Sequence, residues 1–232
     1  MPAPNTTRWI GTGLLGLPLY GALTLWSSLD PQPDPDTHYE EWARFVTTDQ
    51  YVLGHVFGTG LGLLLAIFGV FALGVWLSTS RSGRLGLVAM ALTVFGTGIF
   101  LLLTGVSAFT APWEGRAYLA GVKGLSDLPS SFADRLFGAL FLAGIGLPFL
   151  GHVLLGVAVW RSGVLPRWSG GLWVAAQVCM YVLGLAYAVA TGVQSTPPTV
   201  PVGALLAVLG GGWMAWSVLR PTNVVPAFDG GR

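Results

Sequence analysis

Six stretches of this 232-residue chain run for about twenty residues with no acidic or basic side chain in their centres: 9–27, 51–77, 85–108, 136–160, 172–190 and 202–219. A hydrocarbon core about 30 Å thick requires roughly 20 mostly apolar residues at helical rise. Each stretch is therefore long enough to cross a bilayer, and inside it every backbone N–H and C=O must be paired without water, which demands helix. The expected fold class is all-α, a single membrane domain over residues 1–232 built from six transmembrane helices. With 53% hydrophobic and 9% charged residues, neither an ordinary soluble domain nor a disordered chain fits.

The first stretch follows Arg8 and has the look of a secretory signal, but its apolar run is long. It also ends in Leu25-Trp26-Ser27-Ser28-Leu29, without the small-residue spacing that cleavage needs. It reads as a retained helix. Six spans put both termini on one side. Arg8, Arg81, Arg84, Arg161, Arg167, Arg220 and Arg232 would lie on that side, against Arg44, Arg116, Lys123 and Arg135 on the other. The richer face is cytoplasmic by the positive-inside rule, giving N-in and C-in. Trp9, Trp76, Trp160, Trp168, Trp213 and Trp216 fall at the inner helix ends, where indole favours the headgroups.

Two outer segments stand apart. The acidic, Pro-rich loop 28–49 opens extended and then predicts a short amphipathic helix on the outer surface, with Tyr39, Trp42, Phe45 and Val46 at helical spacing. Capping-box patterns occur at Thr37/Glu40, Thr47/Gln50 and Ser131/Asp134. The apolar loop 109–131 is expected to lie at the interface or over helix ends. The two inner loops are short, so helices 2 and 3, and helices 4 and 5, are antiparallel neighbours. Leu73-Gly74-Val75-Trp76 and Leu155-Gly156-Val157-Ala158-Val159-Trp160, each followed by an Arg/Ser/Gly loop and a helix ending Thr-Gly-Val, suggest a repeat of these hairpins.

Chemistry-bearing residues are few. Gly54, Gly58 and Gly62 place three side-chain-free positions on one face of helix 2, for packing inside the bundle or for a seam in a homodimer or larger membrane complex. Pro148 interrupts helix 4 and frees the Gly144 carbonyl, a local packing irregularity or the mouth of a pocket. His55 and His152 are the ionisable side chains within spans and read first as structural hydrogen-bonding groups, with proton handling or ligand contact as the alternative; with Tyr51 and Gln50 beside His55, these four are the ligand-binding candidates. The two imidazoles are offset by roughly 18 Å along the membrane normal at 1.5 Å per residue, too far to share a haem iron. Asp34, Asp36, His38, Glu40 and Glu41 match neither an EF-hand nor a zinc spacing and read as a solvated acidic face. With Cys179 as the only cysteine there is no disulfide within the chain and no multi-cysteine metal site, and a net charge of +1 argues against nucleic acid. No catalytic residue, metal or cofactor is indicated, and the bilayer is the one partner read directly.

The segment Gly151-His152, Gly156, Trp160-Arg161-Ser162-Gly163, Leu165-Pro166-Arg167-Trp168 and Gly170 resembles a helix–loop signature of uncharacterised bacterial multi-spanning membrane proteins, H-x(8)-R-S-G-x-L-P-R-W-x-G. The resemblance implies a bacterial plasma (inner) membrane and carries no catalytic residue. Three functions stay open: a non-enzymatic accessory, structural or sensing component; a small-molecule transporter or ligand-binding protein with a pocket between His55 and Pro148/His152; and a haem- or quinone-associated oxidoreductase subunit.

Overall fold

The computed structural model describes residues 4–29, 32–124, 131–192 and 196–220. Among these there is no strand, and the helices in chain order are α1 (Pro4–Leu14), α2 (Gly16–Ser27), α3 (Tyr39–Val46), α4 (Asp49–Ser78), α5 (Gly83–Leu119), α6 (Phe132–Ser162), α7 (Arg167–Thr191) and α8 (Thr199–Leu219). Helices α4 to α8 are each long and apolar enough to cross a membrane, and bulky side chains such as Phe68, Phe95, Leu142 and Leu185 face outward from them. In water such faces would be a liability; in lipid they are the expected exterior. The protein is an all-helical, multi-pass membrane protein.

The first apolar stretch is helical but broken. Pro18 has no N–H to offer the Leu14 carbonyl, the Leu15 amide bonds instead to Thr12 at 3.1 Å, and α1 and α2 meet there as two helices of 11 and 12 residues. Neither is long enough alone to cross a membrane, so five uninterrupted apolar helices are present among the described residues where six were expected. Far from being peripheral, this pair carries Leu14, Leu17 and Tyr20 into the middle of the core.

Neighbours follow a ring: α2 packs on α4, α4 on α5, α5 on α6, α6 on α7, α7 on α8, and α8 returns to α2. The ring closes through backbone approach. A side chain at Gly69 would meet the Leu17 amide nitrogen at 2.8 Å, and one at Gly21 would meet the Val208 amide at 2.7 Å. Gly96 of α5 lies on Pro148 of α6, so the proline sits at a contact between helices. Ser131 and Asp134 form the expected reciprocal cap at the start of α6, each accepting from the other's backbone amide.

The apolar loop expected at 109–131 is corrected in its first half. Helix α5 continues to Leu119, well past the expected end at Ala108. Pro112 removes only one hydrogen bond, that to the Ala108 carbonyl, and the extension is held by α3. Ala43 and Val46 close on Gly115, the Tyr39 hydroxyl donates to Glu114 Oε1 at 2.8 Å, and the Tyr39 and Tyr118 rings stand 4.6 Å apart. Burial first, and the Glu114 carboxylate second, push the Tyr39 hydroxyl up to about 12, so it remains a donor at neutral pH. Helix α3 therefore buries Trp42, Ala43 and Val46 against protein, where a surface-lying helix was expected. Residues 125–130 of that segment lie outside the described residues.

Gly96 and Gly98 offer a test two residues apart on one helix. Leucine at Gly96 must displace Pro148 and Leu147, and is expected to lower stability by about 1–3 kcal/mol. A side chain at Gly98 meets nothing within 4 Å, and Gly98→Leu should melt within about 0.5 kcal/mol of the parent. Thermal unfolding in detergent checks both.

Candidate functional site

The N-terminal end of α4 is assembled by its own sequence. Thr48, one residue later than the expected Thr47, is the N-cap, its Oγ1 accepting from the Tyr51 amide at 3.3 Å. Both threonine hydroxyls also bond backward, Thr47 to the Arg44 carbonyl and Thr48 to the Phe45 carbonyl, at 2.8 and 2.7 Å, so the end of α3 and the start of α4 are tied together. His38 occupies the N-cap of α3 without a side-chain cap bond, and Thr37 bonds the His38 ring at 2.8 Å.

One turn into α4 the backbone widens into a π-helical stretch, Gly54–Gly60. Such stretches insert a residue into the helical repeat and recur at functional sites. Here the insertion divides the expected glycine face. Gly58 packs on Ser27 and Gly62 on Leu23 of α2, whereas nothing lies within 4 Å of a side chain at Gly54. Gly58 and Gly62 are thus covered from within the chain, and Gly54 opens onto a cleft.

That cleft, about 520 Å³, lies between the end of α2, the start of α4 and the first turn of α8. Gln50, Tyr51 and His55 all line it. The Tyr51 and His55 rings are 4.0 Å apart, and His55 Nδ1 donates to the Tyr51 carbonyl at 3.0 Å. Since a carbonyl can only accept, Nδ1 carries the proton, and Nε2 of a neutral ring remains as an acceptor. Tyr51, 2% exposed, reaches the Ser107 carbonyl and hydroxyl at 3.3 and 3.2 Å. Sequence reasoning missed the other polar walls, the hydroxyls of Thr24, Ser27, Ser28 and Thr59, and the apolar ones, Trp26, Phe45 and Phe100. The Ser27-Ser28 pair closing an apolar stretch was the available signal.

His152 is elsewhere. It is 1% exposed, stacked on Tyr20 with ring centroids 6.3 Å apart and edge-on to Trp173 at 5.4 Å. Around it the ring of helices encloses more polar atoms than the sequence reading anticipated. Trp173 and Gln177 share a face of α7 one turn apart, both fully buried. Among the described residues neither amide atom of Gln177, nor His152 Nδ1, nor Trp173 Nε1 has a hydrogen-bond partner. The Tyr20 hydroxyl is hydrogen-bonded to Thr24 and Tyr181, and Thr24 also lines the outer cleft. Gln177, the amide side chain within an apolar span, was legible as a candidate.

The outer acids do not assemble. The Asp34 carboxylate accepts from the Asp36 amide at 2.9 Å, and Glu40 pairs with Arg44 at 2.7 Å. No group of three His, Cys, Asp or Glu residues among the described residues is placed to hold a metal ion. Comparison with known proteins finds no matching protein family, curated protein or solved structure, so function rests on this geometry.

Tyr51→Phe keeps the ring and deletes the bond to Ser107. The expected loss is about 1 kcal/mol, read by melting in detergent. In a Ser107→Ala background the loss should shrink measurably, since the two hydroxyls are in contact and deletions of coupled groups do not add.

Proposed function

We propose that this chain is a membrane protein that binds a small ligand in the outer cleft, as a sensing or carrying component that leaves the ligand chemically unchanged. One observation carries the reading: Gln50, Tyr51 and His55, singled out from sequence, meet in one cleft of about 520 Å³, within the usual size range of ligand pockets. The lining specifies the ligand class. Trp26, Phe45 and Phe100 suit an apolar or aromatic body, while His55 Nε2 and the hydroxyls suit a group that donates a hydrogen bond. Among the lining residues there is no carboxylate, lysine or cysteine, and His55 directs its Nδ1 proton to the Tyr51 carbonyl, so no lining carboxylate orients the imidazole as a base for a hydroxyl nucleophile.

Purified protein in detergent is to be melted with phenols, aliphatic alcohols and a short-chain quinol. At least one class should raise the melting temperature of the parent. His55→Phe keeps a ring of similar size without Nε2, and should melt like the parent alone and lose that shift. No shift with any class, or an equal shift in His55→Phe, overturns the reading.

The topology belonging to this function is six spans with N-in and C-in, the α1–α2 pair serving as the first, in a bacterial inner membrane. The helical residues of α1 and α2 together cover roughly 35 Å at helical rise, enough for the hydrocarbon core. The arginine-bearing ends favour the cytoplasm, and the helix–loop signature from His152 to Gly170 favours the bacterial setting. A hairpin repeat is supported by the pairing of the two inner connections, where Arg81 Nε donates to the Arg161 carbonyl. Single cysteines in a Cys179→Ser background test the orientation. Gly163 is unsuitable because its φ of 73° disfavours a side chain, so exposed Val164 takes its place. Glu41→Cys should react with an impermeant thiol reagent on intact cells and Val164→Cys only after permeabilisation; the reverse overturns the topology.

A further inference from the structure

At the opposite end of the bundle from the outer cleft, the connections 79–82 and 163–166 lie side by side, and the first of them, with the adjoining ends of α4, α5, α6 and α7, lines a cleft of about 910 Å³. Four arginines line it, Arg81, Arg84, Arg161 and Arg167, together with Ser78 and Ser80. Among the described residues no carboxylate lines this cleft. Every acidic residue among those described, from Asp34 to Asp49 and at Glu114 and Asp134, belongs to the far end of the bundle.

The positive-inside rule asks only that basic residues lie on this side of the membrane; it does not ask that they converge. Convergence here is built by specific contacts. Arg81 Nε donates to the Arg161 carbonyl, and the Ser82 hydroxyl donates to the Ala158 carbonyl at 2.8 Å, which pins the first connection to the last turn of α6. Gly163, in the left-handed region, then turns the second connection away close to the Arg81 guanidinium. Arg167 rests over Trp160 and Trp168, 5.9 and 5.7 Å from their ring centroids. Because Ser82 gives its hydroxyl to α6, it caps nothing in α5, whose first turn opens on the cleft.

Guanidinium groups match phosphate oxygens in geometry and charge, and Arg is the residue suited to that recognition. Four of them lining one cleft, two fixed by Arg161 carbonyl and indole contacts and none facing a carboxylate among the described residues, make a site for a phosphate-bearing anion. Leu85 and Trp160 in the lining, and exposed Trp168 beside it, set the cleft at headgroup depth, where that phosphate is presented by lipid. We propose that this cleft binds the phosphate of a net-anionic phospholipid headgroup, a role separate from ligand binding at the outer cleft.

The test uses the full chain in a neutral detergent, melted with added phosphatidylglycerol, phosphatidylcholine or inorganic phosphate. Phosphatidylglycerol should raise the melting temperature by several degrees and phosphatidylcholine should not. The double variant Arg84→Gln/Arg161→Gln leaves the Arg81 and Ser82 locks intact, so it should melt like the parent without lipid while binding phosphatidylglycerol at least tenfold more weakly. Arg135→Gln, at the other end of the bundle, should keep the full lipid effect. Equal shifts with both lipids, an undiminished shift in the double variant, or an equal loss in Arg135→Gln would overturn the site. A shift from inorganic phosphate without one from phosphatidylglycerol would overturn the lipid as its source.

Discussion

Lipid offers apolar side chains no advantage in leaving it for one another, so helices in a bilayer hold together mainly by close packing and by the hydrogen bonds that packing permits. In this protein the constraint centres on α2. Gly16 and Gly69 let α2 and α4 touch backbone to backbone, and Gly21 and Gly211 do the same for α2 and α8. Around the rest of the ring, Gly156 meets Gly170 between α6 and α7, and Gly96 and Gly151 let α5 settle on Pro148 and α6. Each of these positions excludes a larger side chain on steric grounds, so helix spacing is set by backbone rather than by side-chain volume.

Close spacing decides where polar chemistry can sit. Where helices touch along their length, polar groups are either paired locally, as Thr93 is with the Ala89 carbonyl at 2.8 Å, or sealed in, as His152 and Gln177 are. A sealed amide without a partner is costly, and such groups persist in a core chiefly where they serve something other than stability. Among the described residues, clefts open at the two ends of the bundle, beside the π-helical turn of α4 and beside the short connection 79–82. The ends differ in chemistry because acids and arginines are segregated along the chain. One is a hydroxyl- and imidazole-lined cleft beneath α3, the other a cationic cleft beside exposed indoles.

Spans were legible because a bilayer imposes a length and forbids unpaired backbone, and both conditions are written locally. The expected centres of 51–77, 85–108, 136–160, 172–190 and 202–219 all lie within α4 to α8. Errors arose where a distant segment determined the outcome. Pro112 and Gly115 look like breakers in isolation, yet α5 runs through both because Ala43, Val46 and Tyr39 of α3 dock on that stretch. Gly54, Gly58 and Gly62 share a face only in an unbroken α-helix, and the π-helical turn separates the first from the other two. The first stretch satisfies the length rule as sequence, but Pro18 divides it, since one missing amide breaks hydrogen bonding without altering hydropathy.

The sequence by itself determined that the chain is helical, that it crosses a membrane several times, which end of the bundle is cationic, and that Gln50, Tyr51 and His55 lie near one helix end. These follow from composition and spacing within about twenty residues. Only the tertiary structure decided that Thr24, Ser27 and Phe100 complete the cleft at the start of α4, that His152 is sealed between Tyr20 and Trp173, and that four arginines from the 79–82 connection and the adjoining ends of α5, α6 and α7 share one cleft. Each depends on which helices become neighbours and on how far each turns about its own axis. A helix whose faces are nearly all apolar does not encode that rotation; the glycine contacts with other helices set it.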